Sequence, residues 1–240
     1  MNVAEYVSYT IDRLPKGYVF TYTDFNVDVS RKEAVIKALN RLVDSGKIMK
    51  ISKGRFYKSE TTPFGVIQPN QYQVVKDLLE ENGKTIGYLT GLSVYSDLGL
   101  TTQVSNTIQI GANDTRSKLT RGIYSISFIK QKNNITKENI PFLQLLDSIR
   151  YIKRIPDTNP AQACKRLLAI INELSEHDIN ILIKLSMKYP PVSRAILGAL
   201  LDSASSYYST EILYKSLNPI TIYKLPGISE VLLTEKWNIK

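Results

Sequence analysis

From Arg31 to Lys58 the sequence carries nine basic residues: Arg31, Lys32, Lys37, Arg41, Lys47, Lys50, Lys53, Arg55 and Lys58. Only two acidic residues, Glu33 and Asp44, oppose them, which leaves +7 in 28 positions. The whole 240-residue chain carries +9, so the remainder adds only +2. A single lysine on a helix is ordinarily a solvated face. A concentration of this kind is instead the electrostatic footprint of a phosphate-bearing partner. Two side chains in the same stretch, Asn40 and Arg41, are of the types that hydrogen-bond base edges.

Other chemistry finds little support. His177 is the only histidine and Cys164 the only cysteine, so no disulfide forms within the chain and Cys/His zinc sites are excluded. His177 sits at an expected helix start, where a surface or capping role is the ordinary one. Cys164 lies in an apolar helical stretch and reads as core. No Ser-His-Asp or Cys-His arrangement is available unless His177 supplies the base. There is no phosphate-binding loop ending in Gly-Lys-Ser/Thr, no dinucleotide glycine pattern and no Asp-x-Asp pair. Glu80 and Glu81, adjacent on an expected helix, point apart. The reading is of a protein that is not an enzyme and has no metal and no cofactor.

Val3, Val7, Ile11 and Leu14 recur at helical spacing, with Tyr6 and Thr10 beside them, and Pro15-Lys16-Gly17 ends that helix. Tyr18 to Thr21 predicts a short strand, and a helical turn follows from Thr23. Ser30-Arg31-Lys32-Glu33 fits a capping box, in which the Ser30 hydroxyl accepts from the Glu33 amide and Glu33 reaches back. The helix it opens sets Val35, Ala38, Leu39 and Leu42 on one face and Lys37, Asn40, Arg41 and Asp44 on the other. Gly46 stops it. Ile48 and Ile51, then Arg55 to Lys58, make two short strands around Gly54.

Helix, strand, short helix, capped helix and basic hairpin, in that order, predict a winged helix-turn-helix over residues 1–60. The capped helix is then the recognition helix and the hairpin the wing. Asn40 and Arg41 read base edges, and Arg31, Lys32 and Lys37 serve phosphates or bases. Lys50, Lys53, Arg55 and Lys58 hold phosphates, which gives affinity but little sequence information. Winged helices also mediate protein contacts without DNA; the concentrated charge favours double-stranded DNA.

Thr61 to Phe64, with Pro63, reads as a linker. Residues 61–157 read as a mixed α/β section. It holds a helix from Gln71 to Glu81 ended by Asn82-Gly83, turn-rich strands through Gly87–Gly91, Leu98–Gln103 and Thr107–Ile110, a strand from Ile123 to Ile129, and a helix from Leu143 to Ile152. Residues 158–240 read as mainly helical: Ala161–Leu174, Ser175–Tyr189, Val192–Ala204 and Glu211–Leu217. A loop or helix start is expected at Ser205–Ser209, an extended run at Pro219–Tyr223, and a docked end from Trp237. The fold class is α+β: an N-terminal winged helix-turn-helix, a central mixed section and a helical C-terminal section. No apolar run approaches the roughly 18–20 residues of a membrane span, and the first residues lack a signal-peptide layout. The expectation is a soluble cytoplasmic protein with no membrane partner.

Several stretches carry a wider resemblance: Gly54-Arg55-Phe56-Tyr57-Lys58, Phe64-Gly65, Gly87-Tyr88-Leu89-Thr90-Gly91, Leu98-Gly99-Leu100-Thr101-Thr102-Gln103, Tyr189-Pro190-Pro191-Val192-Ser193-Arg194-Ala195-Ile196-Leu197-Gly198 and Leu217-Asn218-Pro219. Together they resemble the AbiEi-type antitoxins of bacterial type IV toxin-antitoxin and abortive-infection (phage defence) systems, and more closely a branch labelled only as a family of unknown function. The resemblance spans nearly the whole chain. It implies a transcriptional regulator that binds inverted repeats at its own promoter, with two protomers per operator. It also implies neutralisation of a cognate nucleotidyltransferase toxin, with or without a stable complex. The DNA role then falls on the Arg31–Arg41 helix and the Lys50–Lys58 hairpin. The candidates for the antitoxin surface are Leu98, Thr101, Thr102, Gln103 and Arg194, although packing of Leu197 and Gly198 explains the second segment equally well. A winged-helix protein-interaction module, or a regulator without antitoxin activity, is the alternative.

Overall fold

The computed structural model describes residues 2–204 and 208–240, so part of the segment expected as a loop or helix start at 205–209 lies outside the described residues. The chain is mixed α/β, with nine α-helices and several small sheets among the described residues. The first part runs α1 (Val3–Arg13), β1 (Val19–Thr21), α2 (Lys32–Asp44), β2 (Met49–Ser52), β3 (Arg55–Tyr57), β4 (Glu60–Thr62), β5 (Gly65–Ile67) and α3 (Gln71–Leu79). The middle runs β6 (Glu80–Glu81), β7 (Lys84–Thr85), β8 (Gly87–Thr90), α4 (Leu92–Asp97), β9 (Thr107–Ala112), β10 (Leu119–Arg121) and β11 (Tyr124–Lys130). Five helices follow: α5 (Ile140–Arg150), α6 (Pro160–Asn172), α7 (Glu176–Ser186), α8 (Pro191–Ala204) and α9 (Glu211–Lys215).

The chain divides into two compact units: residues 1–77 with Lys118–Ile126, and residues 78–117 with Ser127–Lys240. The reason is visible in the cores. Tyr88, Tyr95 and Leu100 of the middle section share one apolar core with Leu143, Leu167, Leu182, Leu197 and Trp237 of the helices. β10 and the first residues of β11, within Lys118–Ile126, belong instead with the N-terminal residues, where the Gly122 amide donates to the Ile51 carbonyl at 2.8 Å.

In the first unit, Asn2 opens α1 through a capping box with Glu5. β1, β3 and β2 form a three-stranded antiparallel sheet in that order, with Phe20 opposite Phe56 and Lys50 opposite Phe56 on the other side. Val7, Ile11, Phe20, Phe25, Val35, Ala38, Leu39, Ile48 and Phe56 fill the core between the sheet and the helices. Ile48 and Ile51 are three residues apart, an odd spacing for one strand face, yet both are buried. Ile48 belongs to this core, whereas Ile51, at a register shift between Lys50 and Ser52, is buried beside Gly122 instead.

Three local expectations are corrected. Ser30 does not cap α2: a 3-10 turn over Val29–Arg31 leads straight into the helix, and the capping position, Arg31, has helical backbone and no side-chain cap. A capping hydroxyl needs an extended residue, which the turn removes. The Thr61–Phe64 stretch is no linker but the bend of the β4–β5 hairpin, tied by Thr62 Oγ1 donating to the Gly65 carbonyl at 3.0 Å. The helix expected to reach Glu81 stops at Leu79, so Glu80 and Glu81 are a strand paired with Thr85 and Lys84. Asn82 and Gly83, at φ 51° and 75°, form the two-residue turn of that hairpin.

In the second unit β8 pairs antiparallel with β9, with β11 on the far side of β9. Helices α5 to α8 pack on one another around the core, and Cys164 lies fully within it. Burial pushes the Cys164 thiol up to about 12, which keeps it from reacting as a thiolate. Gly198 of α8 lies flat against the Trp237 ring: a Cβ there would fall 2.2 Å from the ring edge. Gly198→Ala is therefore expected to destabilise the unit by about 1–3 kcal/mol, through overpacking of a buried ring that has nowhere to move. Urea denaturation checks this; an unchanged midpoint would show that the ring can shift.

Candidate functional site

The sequence singled out nine side chains on α2 and the β2–β3 hairpin, and the fold treats them in two ways. At 3.6 residues per turn, burying Val35, Ala38 and Leu39 turns Lys37, Asn40 and Arg41 outward on α2. Gly46, at φ 73°, ends the helix, its amide donating to the Val43 carbonyl at 2.9 Å. Gly54, at φ 72°, then turns the hairpin so that Lys50 and Lys53 stand in solvent. Arg31, Lys32, Lys37, Asn40, Arg41, Lys50 and Lys53 are all exposed. Among the described residues none of the six cations is ion-paired.

Arg55 and Lys58 are used inside the protein. The Lys58 ammonium donates to the Asp12 and Leu14 carbonyls, at 2.7 and 2.9 Å, and so closes the C-terminus of α1. Lys58→Ala is expected to cost about 1 kcal/mol of stability while leaving any DNA affinity and its salt dependence unchanged. A thermal melt together with a salt titration of binding separates the two roles. Lys47 is likewise taken, by Asp12 at 2.8 Å and Ser8 at 2.8 Å.

Arg55 belongs to a cluster that sequence reading missed. Asp77 receives Arg55 at 2.6 Å and both terminal nitrogens of Arg121, at 2.5 and 2.9 Å. Arg121 is buried and also donates to the Val74 carbonyl at 2.6 Å. Partial burial raises the Asp77 carboxyl, and the Arg121 and Arg55 guanidiniums more than offset this, holding it below the ordinary range. With 44 positions between Asp77 and Arg121, no local pattern could have revealed the pair. The cluster fixes the hairpin that carries Lys50 and Lys53 to α3.

The second set of candidates is not gathered in one place by any hydrogen bond or ion pair among the described residues. Leu98 to Gln103 is the turn after α4, a helix the sequence did not announce. Leu98 is half-buried and its carbonyl accepts from Arg166 Nε at 2.8 Å, while Thr101 is buried and Thr102 and Gln103 are exposed. Gln103 lines a hollow of about 310 Å³ together with Tyr95, Gln109, Tyr151 and Arg154. Arg194 is half-buried on α8, and its Nε is buried without a hydrogen-bond partner. His177 is exposed near the start of α7, which Ser175 and Asp178 cap. Among the described residues no group of His, Cys, Asp or Glu side chains is placed to hold a metal ion. No helix among them is long and apolar enough to cross a membrane.

The fold is similar to that of the RV2827C protein from Mycobacterium tuberculosis, seen in a crystal structure. The two share 15% sequence identity at a TM-score of 0.61, over 97% of this chain and 88% of that one. No curated protein matches the sequence. Residues 6–179, well over half of the chain, match a family of unknown function, DUF6088, and the chain belongs to that family.

Proposed function

We propose that the first unit is a winged helix-turn-helix that binds double-stranded DNA, with α2 in the major groove and the β2–β3 hairpin as its wing. One observation carries this reading. Six unpaired cations, Arg31, Lys32, Lys37, Arg41, Lys50 and Lys53, are exposed on these two elements, and Asn40 stands among them. Lys50 and Lys53 hold backbone phosphates, Asn40 and Arg41 reach base edges, and Arg31, Lys32 and Lys37 secure the helix end. The resemblance to AbiEi-type antitoxins extends the reading. The chain represses its own operon, as a dimer on inverted repeats, and neutralises a nucleotidyltransferase toxin without any catalysis of its own.

A gel shift with the DNA upstream of its own gene, at two salt concentrations and against a scrambled duplex, tests the regulator half. The expected result is saturable binding that prefers the upstream duplex and weakens with salt. Equal binding to both duplexes would remove autoregulation. No binding to either would turn attention to a protein partner for α2, on which Ile36 is also exposed. Co-expression with the neighbouring nucleotidyltransferase tests the antitoxin half by growth rescue.

A further inference from the structure

The Tyr189-Pro190-Pro191 segment, distinctive in the sequence, takes no part in the DNA reading. In the second unit it forms one wall of a hollow of about 260 Å³. Lys130, Gln131 and Lys132 line it from the end of β11, Arg150 from the end of α5, and Lys188 from the turn before α8. The wall thus holds four cationic side chains and no carboxylate.

The floor is rigid. Gln131 and Tyr189 are both buried, and Gln131 Nε2 donates to Tyr88 Oη and Tyr189 Oη at 2.8 Å each. Tyr189 Oη in turn donates to Asp147 at 2.9 Å, behind the floor. The rim lysines, Lys130, Lys132 and Lys188, are exposed. Lys188 Nζ donates to the Lys132 main-chain carbonyl at 3.3 Å, which places the Lys188 ammonium beside the Lys132 backbone. Lys130 has one distant and exposed acidic partner, Asp114 at 3.9 Å. Among the described residues Lys132 and Lys188 pair with no carboxylate; Arg150 has none within ion-pair distance, its guanidinium lying 5.0 Å from the Tyr151 ring and its charge reaching the buried Asp147 carboxyl.

Like charges gathered around a concave wall repel one another and focus a positive potential into the space between them. A multi-oxygen anion relieves that repulsion and can accept from several donors at once. Phosphoryl oxygens suit both the arginine fork and the lysine point charges. Volume narrows the choice: small-molecule pockets ordinarily span roughly 300–1,000 Å³, and this hollow falls just below that range. It has room for a phosphate or a diphosphate rather than for a whole nucleotide. We propose that this hollow is an anion site for a phosphate or diphosphate group, either free or at the end of a small molecule.

Calorimetric titration of the full chain with sodium diphosphate at fixed ionic strength tests this. Saturable binding is expected, weakened about tenfold or more by Lys132→Gln with Lys188→Gln, since charge-assisted donors are lost. Arg150→Gln should weaken it similarly. The two lysines are exposed, so their variant keeps the fold and decides the matter if Arg150→Gln does not; thermal melts check this. Lys50→Gln with Lys53→Gln should leave diphosphate binding intact. Binding of adenosine diphosphate as well would place the group at the end of a small molecule, and binding of diphosphate alone would make the free anion the ligand. Absence of saturable binding would overturn the proposal. So would an equal loss in the Lys50 and Lys53 variant, or binding of a short single-stranded oligonucleotide but not of diphosphate.

Discussion

Asp147→Ala is expected to destabilise the second unit by about 3–5 kcal/mol, a drop in melting temperature on the order of 10 °C. The Asp147 side chain is fully buried and takes three hydroxyl hydrogens: from Tyr88 at 2.7 Å, Thr90 at 2.9 Å and Tyr189 at 2.9 Å. Alanine would leave the Tyr88 and Thr90 hydroxyls without this buried acceptor, while the Tyr189 hydroxyl keeps the Leu143 carbonyl at 3.3 Å, and each orphan costs about 1–3 kcal/mol. Asp147→Asn keeps the shape and one acceptor oxygen, so it should lose less. Burial holds the Asp147 carboxyl above the ordinary range despite its three donors, and this sets the sign of the pH effect. Its contribution to stability is fully present below the carboxylate's unfolded pKa and is lost as pH rises through the elevated folded value. Asp77 behaves oppositely: its depressed carboxyl supports the first unit above the unfolded pKa and fails as pH falls through the folded one. Urea denaturation across pH measures both, and Asp147→Asn should remove the loss of stability that accompanies rising pH. An alanine variant as stable as the parent would mean that the orphaned hydroxyls find other partners.

For DNA binding, the largest expected change is in salt dependence. Each phosphate contact contributes about 0.9 to the slope of log affinity against log salt. Lys50→Ala with Lys53→Ala should therefore flatten that slope by about 1.8. Between 50 and 200 mM salt, the affinity of this variant would then fall about tenfold less than that of the parent. Arg55 is best left out of such a variant, since its removal also strips Asp77 of a partner and disturbs the hairpin. Asn40→Ala or Arg41→Ala should instead relax sequence preference by about 1–3 kcal/mol for each true base contact. Fluorescence anisotropy over a salt series reads both quantities. An unchanged slope would take the hairpin out of the interface, and equal losses on specific and scrambled duplexes would take away base reading by α2.

What the sequence disclosed follows the range of the interactions involved. α1, α2 and the β2–β3 hairpin announce themselves through apolar spacing and through Gly46 and Gly54, all signals local to a few residues. The capping box at Ser30 failed because a residue pattern cannot reveal the 3-10 turn that precedes the helix. β4 and β5 were hidden by Pro63 and by their length of three residues each, β4 being polar, and their pairing rests on backbone bonds and on Thr62. Lys58 looked like a phosphate ligand because its charge is legible and its distance to the end of α1 is not. The Asp77–Arg121 pair and the hollow formed by Lys130, Lys132, Arg150 and Lys188 join residues from separate elements, so neither leaves a linear trace.

The composition of the first unit limits how the protein can be cut. A fragment ending at residue 77 keeps α1 to β5 and nearly all of α3 but loses Lys118–Ile126. It would leave Asp77 without Arg121 and the Ile51 carbonyl without the Gly122 amide. The N-terminal unit is therefore no contiguous cassette. Gene fusion or recombination cannot carry it elsewhere intact by copying one uninterrupted stretch that stops before β10, and a reporter built on residues 1–77 would examine a damaged domain.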